Sequence, residues 1–203
     1  MAAAISLATE PALQRLLQLS TVYMTQTSTG YNGSNFSVFG QDEQLLFNLN
    51  EFFTNFINHG SARRAFQFNG EDSTGKKLFS FNRPQGSSIT INDEVQLFMD
   101  DALISIIRLA RTLSTPIFNI NDAHDGPVIR IKGFGVEGTI FQLQTNDKTA
   151  IGSIQKKFRG WKEELSSQKD AYIINFPADL AVTFKIAVIV TCVYIDFRFH
   201  EGK

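Results

Sequence analysis

The sequence predicts a β-rich domain, a barrel or sandwich of short strands, enclosing one apolar helix near its C-terminus. Two observations carry this reading. Most of the chain breaks into short segments in which apolar and polar residues alternate, separated by clusters of Gly, Asn and Asp, which is the rhythm of strands and turns. Near the end, Ile186 to Ile195 reads IAVIVTCVYI and is apolar on every side of a helical wheel, so it must be wrapped completely by lipid or by protein.

In chain order, Ala12 to Leu19 is a short helix candidate. Phe36 and Val38, then Leu45, Phe47 and Leu49, alternate on either side of Phe39-Gly40-Gln41-Asp42, the pattern of a hairpin with one buried face. Phe66 and Phe68, the Lys77 to Phe81 run, and Val95, Leu97 and Met99 continue it, followed by Phe118 and Ile120, Ile129 and Ile131, and Phe141 and Leu143. Turn residues fill Gly70 to Gly75, Asp122 to Pro127 and Asn146 to Thr149. About ten strand candidates are more than one flat sheet comfortably holds. Asp101 to Thr112 has mixed periodicity around Ile104, Ile107 and Arg108 that leaves a helix open, but its Ile and Leu clustering favours a strand. Lys156 to Leu165 suits a short helix or an exposed loop, with Phe158, Trp161 and Leu165 spaced to share a helical face and Trp161 as a packing anchor.

The apolar run is too short for a simple membrane span. Ten residues rise about 15 Å against a hydrocarbon core of about 30 Å, and extending the run to Leu180 brings in Lys185. Lys185 and Asp196 bracket it, and in a helix both charges oppose the macrodipole, so each calls for a partner on the surrounding structure. A closed barrel supplies wrapping and partners alike, with Lys185, Ile186, Ile189, Val190, Val193, Ile195 and Asp196 marking the central helix. Val and Ile richness leaves a central strand as the alternative. Asp179 after Pro177 favours a helix, because Asp is a strong N-cap.

Composition narrows the function. With 203 residues, 43% hydrophobic and 19% charged, the chain fits one folded domain over residues 1–203. A net charge of −1 offers no footprint for nucleic acid. The single cysteine, Cys192, closes no intramolecular disulfide, and Met1 to Glu10 lacks a positive n-region, with Ala2 where myristoylation needs glycine. These features predict an intracellular, cytoplasmic protein. In that setting the sequons at Asn32 to Ser34 and Asn35 to Ser37 read as turn chemistry.

No catalytic constellation emerges, and the expectation is a protein that is not an enzyme. His59, His124 and His200 are scattered. Cys192 lies mid-helix among apolar neighbours, where burial raises a thiol pKa. Gly133 to Gly138 matches GxGxxG in spacing but lies between strands, without a following helix.

Ile151 to Glu201 carries a more specific signal. Ile151, Gly152, Ile154 and Lys156 fit an IGxIxK opening; Phe176, Pro177, Asp179, Leu180 and Val182 fit FPxDLxV; Ile195, Asp196, Phe197, Phe199 and Glu201 fit IDFxFxE. In this block the chain resembles the phospholipid scramblases. The Leu16 to Gln26 entry and the Phe66 to Pro84 and Pro116 to Gly133 hairpins are similar in order upstream. The resemblance implies a Tubby-like fold, a closed twelve-stranded β-barrel around a central C-terminal hydrophobic helix. It also implies calcium-dependent, ATP-independent movement of phospholipids between leaflets, from a peripheral position at the cytosolic face of a membrane.

Departures from the family pattern qualify that inheritance. The family's calcium segment aligns with Gln168 to Asp179, where Gln168 holds the first position and Asp170 and Asp179 are the remaining carboxylates. Ca²⁺ affinity follows carboxylate count, so that ligand set predicts millimolar binding or none, against an ordinary loop with Asp179 as a cap. Gly86 to Asp93 has no counterpart of the palmitoylated cysteines, Pro11 is the only proline before Pro84, and the sequence stops two residues after Glu201. This predicts neither that lipid tether, nor recruitment of SH3 or WW domains, nor an emergent tail. Two functions follow as expectations: transbilayer phospholipid movement, or a soluble, self-associating binding or structural module of the same fold.

Overall fold

The computed structural model describes residues 10–28, 33–52, 65–84, 93–110, 115–134, 139–157 and 171–199. Helix α1 (Pro11–Gln18) leads into twelve strands: β1 (Thr21–Ser28), β2 (Asn35–Gly40), β3 (Leu45–Glu51), β4 (Phe66–Glu71), β5 (Lys77–Arg83) and β6 (Glu94–Met99), then β7 (Ala102–Ala110), β8 (Ile117–Asp122), β9 (Pro127–Phe134), β10 (Ile140–Gln144), β11 (Ala150–Lys157) and β12 (Ala171–Asn175). Helix α2 (Val182–Phe199) ends the described chain. Each strand pairs antiparallel with its sequence neighbours, and β1 pairs with β12, closing the barrel. Closure removes the exposed edges that an open sheet would present.

Alternation decides which face turns inward. Strand β1 buries Val22 and Met24, β6 buries Val95, Leu97 and Met99, and β12 buries Tyr172 and Ile174. The intervening positions are polar in many strands, as at Asn48, Asn69, Asn82, Gln96 and Gln142, and remain partly exposed. A barrel that crosses a bilayer carries the opposite arrangement, apolar outside and polar within.

The interior is filled by α2. All ten residues from Ile186 to Ile195 have no exposed surface. Burying a Val or Ile side chain stabilises a fold by roughly 1.5–3 kcal/mol, so this helix is a major part of the core. Aromatic rings from the wall complete the packing: Phe66 lies 4.8 Å from Phe197, and Phe68 stacks on Phe81 with centroids 4.9 Å apart. The Thr191 hydroxyl is satisfied within the helix, its Oγ1 donating to the Ala187 carbonyl at 2.7 Å.

Two ends can be told apart. The tight turns β2–β3, β4–β5, β6–β7, β8–β9 and β10–β11 lie at one end, where α2 begins, and the remaining connections lie at the other. Helix α1 lies across the turn end. Its Leu13 and Leu16 are fully buried, Arg15 pairs with Asp42 of the β2–β3 turn, and Glu10 just before it pairs with Lys76 of the β4–β5 turn at 2.5 Å.

The expected hairpins are present, and Asp101 to Thr112 contains strand β7. Three expectations are corrected. The helix does not begin at Asp179: the Ala181 carbonyl accepts the first helical bonds, from Phe184 N at 2.9 Å and Lys185 N at 3.0 Å, while Asp179 is exposed in the preceding turn. Asn35 is not a turn residue, because it opens β2 and its amide nitrogen donates to Ser28 Oγ at 2.9 Å. About ten strand candidates become twelve, because β1 and β11 are rich in Thr, Gln, Ser or Lys, and β12 is only five residues long, too short to show an alternation. Phe158, Trp161 and Leu165 lie outside the described residues.

Candidate functional site

The central helix and its two polar ends form the most specific constellation in the fold. At the turn end, Lys185 has no exposed surface, yet its ammonium is surrounded by acceptors. Nζ donates to the carbonyl oxygens of Leu17 and Leu19 at 2.7 Å, of Ala178 at 2.9 Å and of Leu16 at 3.3 Å. Leu16, Leu17 and Leu19 are where α1 finishes, so their carbonyls have no further full turn of helix to bond, the Leu16 oxygen taking only the Leu19 N–H at 3.2 Å. Lys185 therefore caps another helix, its cation meeting the negative end of the α1 dipole. Its ring neighbour is Phe176, 5.3 Å away. Burial pushes the Lys185 pKa down, opposed by the Asp179 carboxylate.

At the other end, Asp196 is buried and accepts a hydrogen bond of 2.6 Å from the Tyr172 hydroxyl of β12. Lys156 of β11 sits over the Tyr172 ring at 5.8 Å. One turn deeper, the Cys192 thiol is pushed well above its ordinary pKa, first by burial and then by the Asp196 charge, against a smaller opposing effect of Lys156. A thiol held protonated in an apolar core is neither a nucleophile nor a ready metal ligand.

A second buried cluster joins the wall to the helix. Arg83, only 6% exposed, forms an ion pair with Asp93 and lies 5.3 Å over the Tyr194 ring. The Tyr194 hydroxyl donates to the Asp93 carboxylate and lies 3.0 Å from the Asp93 carbonyl. Burial, then the bond to Asp93, raises the Tyr194 pKa far above the usual tyrosine value. This trio has no local signature, since Asp93 and Tyr194 are 101 positions apart. The polar residues Arg83 and Asp93 flanking a Pro-containing connection were its only trace in the sequence.

The structure thus places Lys185, Ile186, Ile189, Val190, Val193, Ile195 and Asp196 together on one enclosed helix. Of the calcium candidates, Asp179 alone falls within the described residues. Gln168 and Asp170 lie outside the described residues, and Asp179 stands exposed in the turn before α2. Among the described residues no group of three or more His, Cys, Asp or Glu side chains is arranged to hold a metal ion. Several turn carboxylates accept from the backbone of their own turn. Asp72 Oδ1 accepts from Thr74 N at 2.8 Å and Lys76 N at 3.0 Å, and Asp122 Oδ1 accepts from His124 N and Gly126 N, both at 2.8 Å. Nor, among the described residues, is any helix long and apolar enough to cross a membrane.

Comparison with known proteins gives a consistent result. The profile of the Scramblase family matches residues 3–202. Human phospholipid scramblase family member 5 is 36% identical over 92 residues, which are 42% of this chain and 34% of that protein. Bovine phospholipid scramblase 2 is 34% identical over 92 residues, covering 42% of this chain and 31% of the relative. Human phospholipid scramblase 4 is 23% identical over 214 residues, covering 94% and 64% respectively. The chain therefore spans about a third of the first two relatives and under two thirds of the last. An X-ray structure of a protein from Arabidopsis thaliana superposes with a TM-score of 0.49 at 17% identity, over 85% of this chain and 91% of that one.

Proposed function

The chain belongs to the scramblase family, and on that premise we propose that it acts on phospholipid membranes from a peripheral position, promoting ATP-independent movement of phospholipids between leaflets at a cytosolic face. The observation that carries this reading is the extent of the family match: residues 3–202 include every element of the closed barrel and the helix inside it. The enclosed helix determines how lipid would be met. With Ile186 to Ile195 fully covered by the wall, contact with a bilayer falls to the outer surface and the ends of the barrel, not to a spanning segment.

Calcium enters this reading as a weak ligand. Asp179 is exposed and available, with Gln168 and Asp170 as the other candidates. So few carboxylates favour at most millimolar affinity. Any effect of Ca²⁺ on lipid movement is then modest at micromolar concentrations.

A second reading is a soluble, self-associating binding or structural module without transport activity. It is favoured by the same enclosed helix, which leaves no apolar helix surface for lipid tails, and by polar outward positions such as Asn48, Asn82 and Gln142. The two readings part in a liposome assay that follows a fluorescent phospholipid from the inner to the outer leaflet, with and without Ca²⁺. Lipid movement above that of protein-free liposomes supports the first. Its absence at every calcium concentration, with protein that remains folded, leaves the second.

A further inference from the structure

The large apolar side chains that the barrel leaves exposed are not scattered. Among the described residues they are Phe52 at 46%, Phe134 at 42% and Ile140 at 47%. All three lie at the end opposite the tight turns: Phe52 follows β3, Phe134 ends β9 and Ile140 begins β10. Phe134 and Ile140 are direct partners in the β9–β10 register, both outward, since Gly133 and Phe141 beside them are buried. The pair therefore forms one patch.

Cations border it. Lys132, two residues before Phe134 on the same outward row, holds its ammonium 5.1 Å from the Phe134 ring centroid. Across the sheet, Ile140 pairs with Gln155, and Lys157 lies on that outward row one step nearer the rim. The described acids of this end are engaged: Asp93 with Arg83, Glu94 with Arg108, and Glu51 with the Ser34 backbone nitrogen at 2.8 Å.

The far end has the opposite character. Each of its five turns carries an aspartate, at Asp42, Asp72, Asp101, Asp125 and Asp147. Several cations there are paired: Arg15 with Asp42, Lys76 with Glu10 and Lys77 with Asp101. Among the described residues, the chain thus has an acidic turn end and an apolar patch bordered by lysines at the other.

We propose that the rim formed by Phe134 and Ile140, flanked by Lys132 and Lys157, is the edge with which this protein docks on a bilayer bearing anionic phospholipids. Apolar side chains entering the interface and lysines beside anionic headgroups are additive contributions to peripheral binding. The acidic turns orient the molecule by being repelled from the same surface. The occupant is a lipid surface because the patch joins exposed hydrocarbon with cations, whereas a protein contact burying one Phe and one Ile would be far below the area of a stable interface. This inference rests on the peripheral-membrane reading above and adds the surface that performs it.

The test is sedimentation of the full chain with phosphatidylcholine vesicles, with and without phosphatidylserine. The wild type is expected to bind the phosphatidylserine vesicles. F134S/I140S is expected to weaken that binding roughly ten-fold or more, because both interfacial anchors are lost. K132Q/K157Q should remove most of the difference between the two vesicle types. Urea unfolding of each variant separates lost binding from lost folding. If the wild type binds while both folded double variants bind equally well, the rim is the wrong surface and the membrane reading survives. If the wild type binds neither vesicle, both ideas fall.

Discussion

The ammonium of Lys185 lies 2.7 Å from the carbonyl oxygen of Leu19, a contact between residues 166 positions apart that ties the central helix to the helix lying across the barrel end. The same nitrogen reaches Leu16, Leu17 and Ala178. One buried cation thus serves four carbonyls, and its removal takes the ammonium from all of them, leaving only the Leu16 oxygen its bond from the Leu19 N–H at 3.2 Å.

Lys185→Met should therefore destabilise the fold by about 2–3 kcal/mol, the cost of losing hydrogen bonds to a charged donor and leaving carbonyls unsatisfied. Urea denaturation with the slope held in common measures it. A loss under about 1 kcal/mol would mean that water enters the socket and replaces the ammonium.

Gly152 has a steric reason for its place in the motif Ile151-Gly152. A Cβ at this position would sit 2.2 Å from the Asn175 carbonyl oxygen and 3.0 Å from its carbon, both backbone atoms of β12. Gly152→Ala should force β11 and β12 apart and lower stability by about 1–3 kcal/mol or more. Gly70 is confined too, but by the Phe79 ring, whose Cζ would lie 2.3 Å from a Cβ at that position. A ring can shift, so Gly70→Ala should be the milder of the two in a thermal melt.

Acid should loosen the turn end first. Hydrogen bonds hold the carboxyls of Asp72, Asp125 and Asp147 below the ordinary value of 3.8, chiefly from Thr74, Asn121 and Thr145 respectively. The unfolded chain then binds protons more readily than the native one. The stability these groups contribute is complete above 3.8 and drains away as pH falls below it toward the folded values. Melting temperature followed downward from pH 5 should fall more steeply for the wild type than for D72N/D125N/D147N.

Cys192 should be silent toward a water-soluble thiol reagent in native buffer and react fully once urea unfolds the chain. Burial and the nearby Asp196 keep the thiol protonated and out of contact with solvent. Rapid modification of native protein would show that the barrel opens on the timescale of the reaction.

Much of the fold was legible because its largest energy term is written locally. Alternation at Phe36, Val38, Phe47 and Leu49 announced a hairpin with one buried face, and IAVIVTCVYI announced a helix needing cover on all sides. Helix α1 was foreseen to within a residue at each end. The start of α2 was misplaced, because an Asp after a proline is a good cap in isolation, whereas here the Pro177 to Leu180 turn ends before the helix begins. The candidate site was less legible. That Lys185 and Asp196 needed partners followed from their positions, but nothing near them in the sequence names Leu19 or Tyr172.

Residue order alone determined that this chain must shelter a greasy segment too short to cross a bilayer, and that alternating strands were available to do it. It also carried the motifs that assign the family. Only the folded molecule decided which carbonyls receive the buried lysine, which tyrosine meets the buried aspartate, and that, among the described residues, the exposed large apolar side chains gather at one rim while the aspartates of five turns gather at the other. Periodicity and capping act over a few residues, so a sequence displays them. Closure of a twelve-stranded barrel brings together residues more than a hundred positions apart, and such contacts exist only once the whole wall has formed.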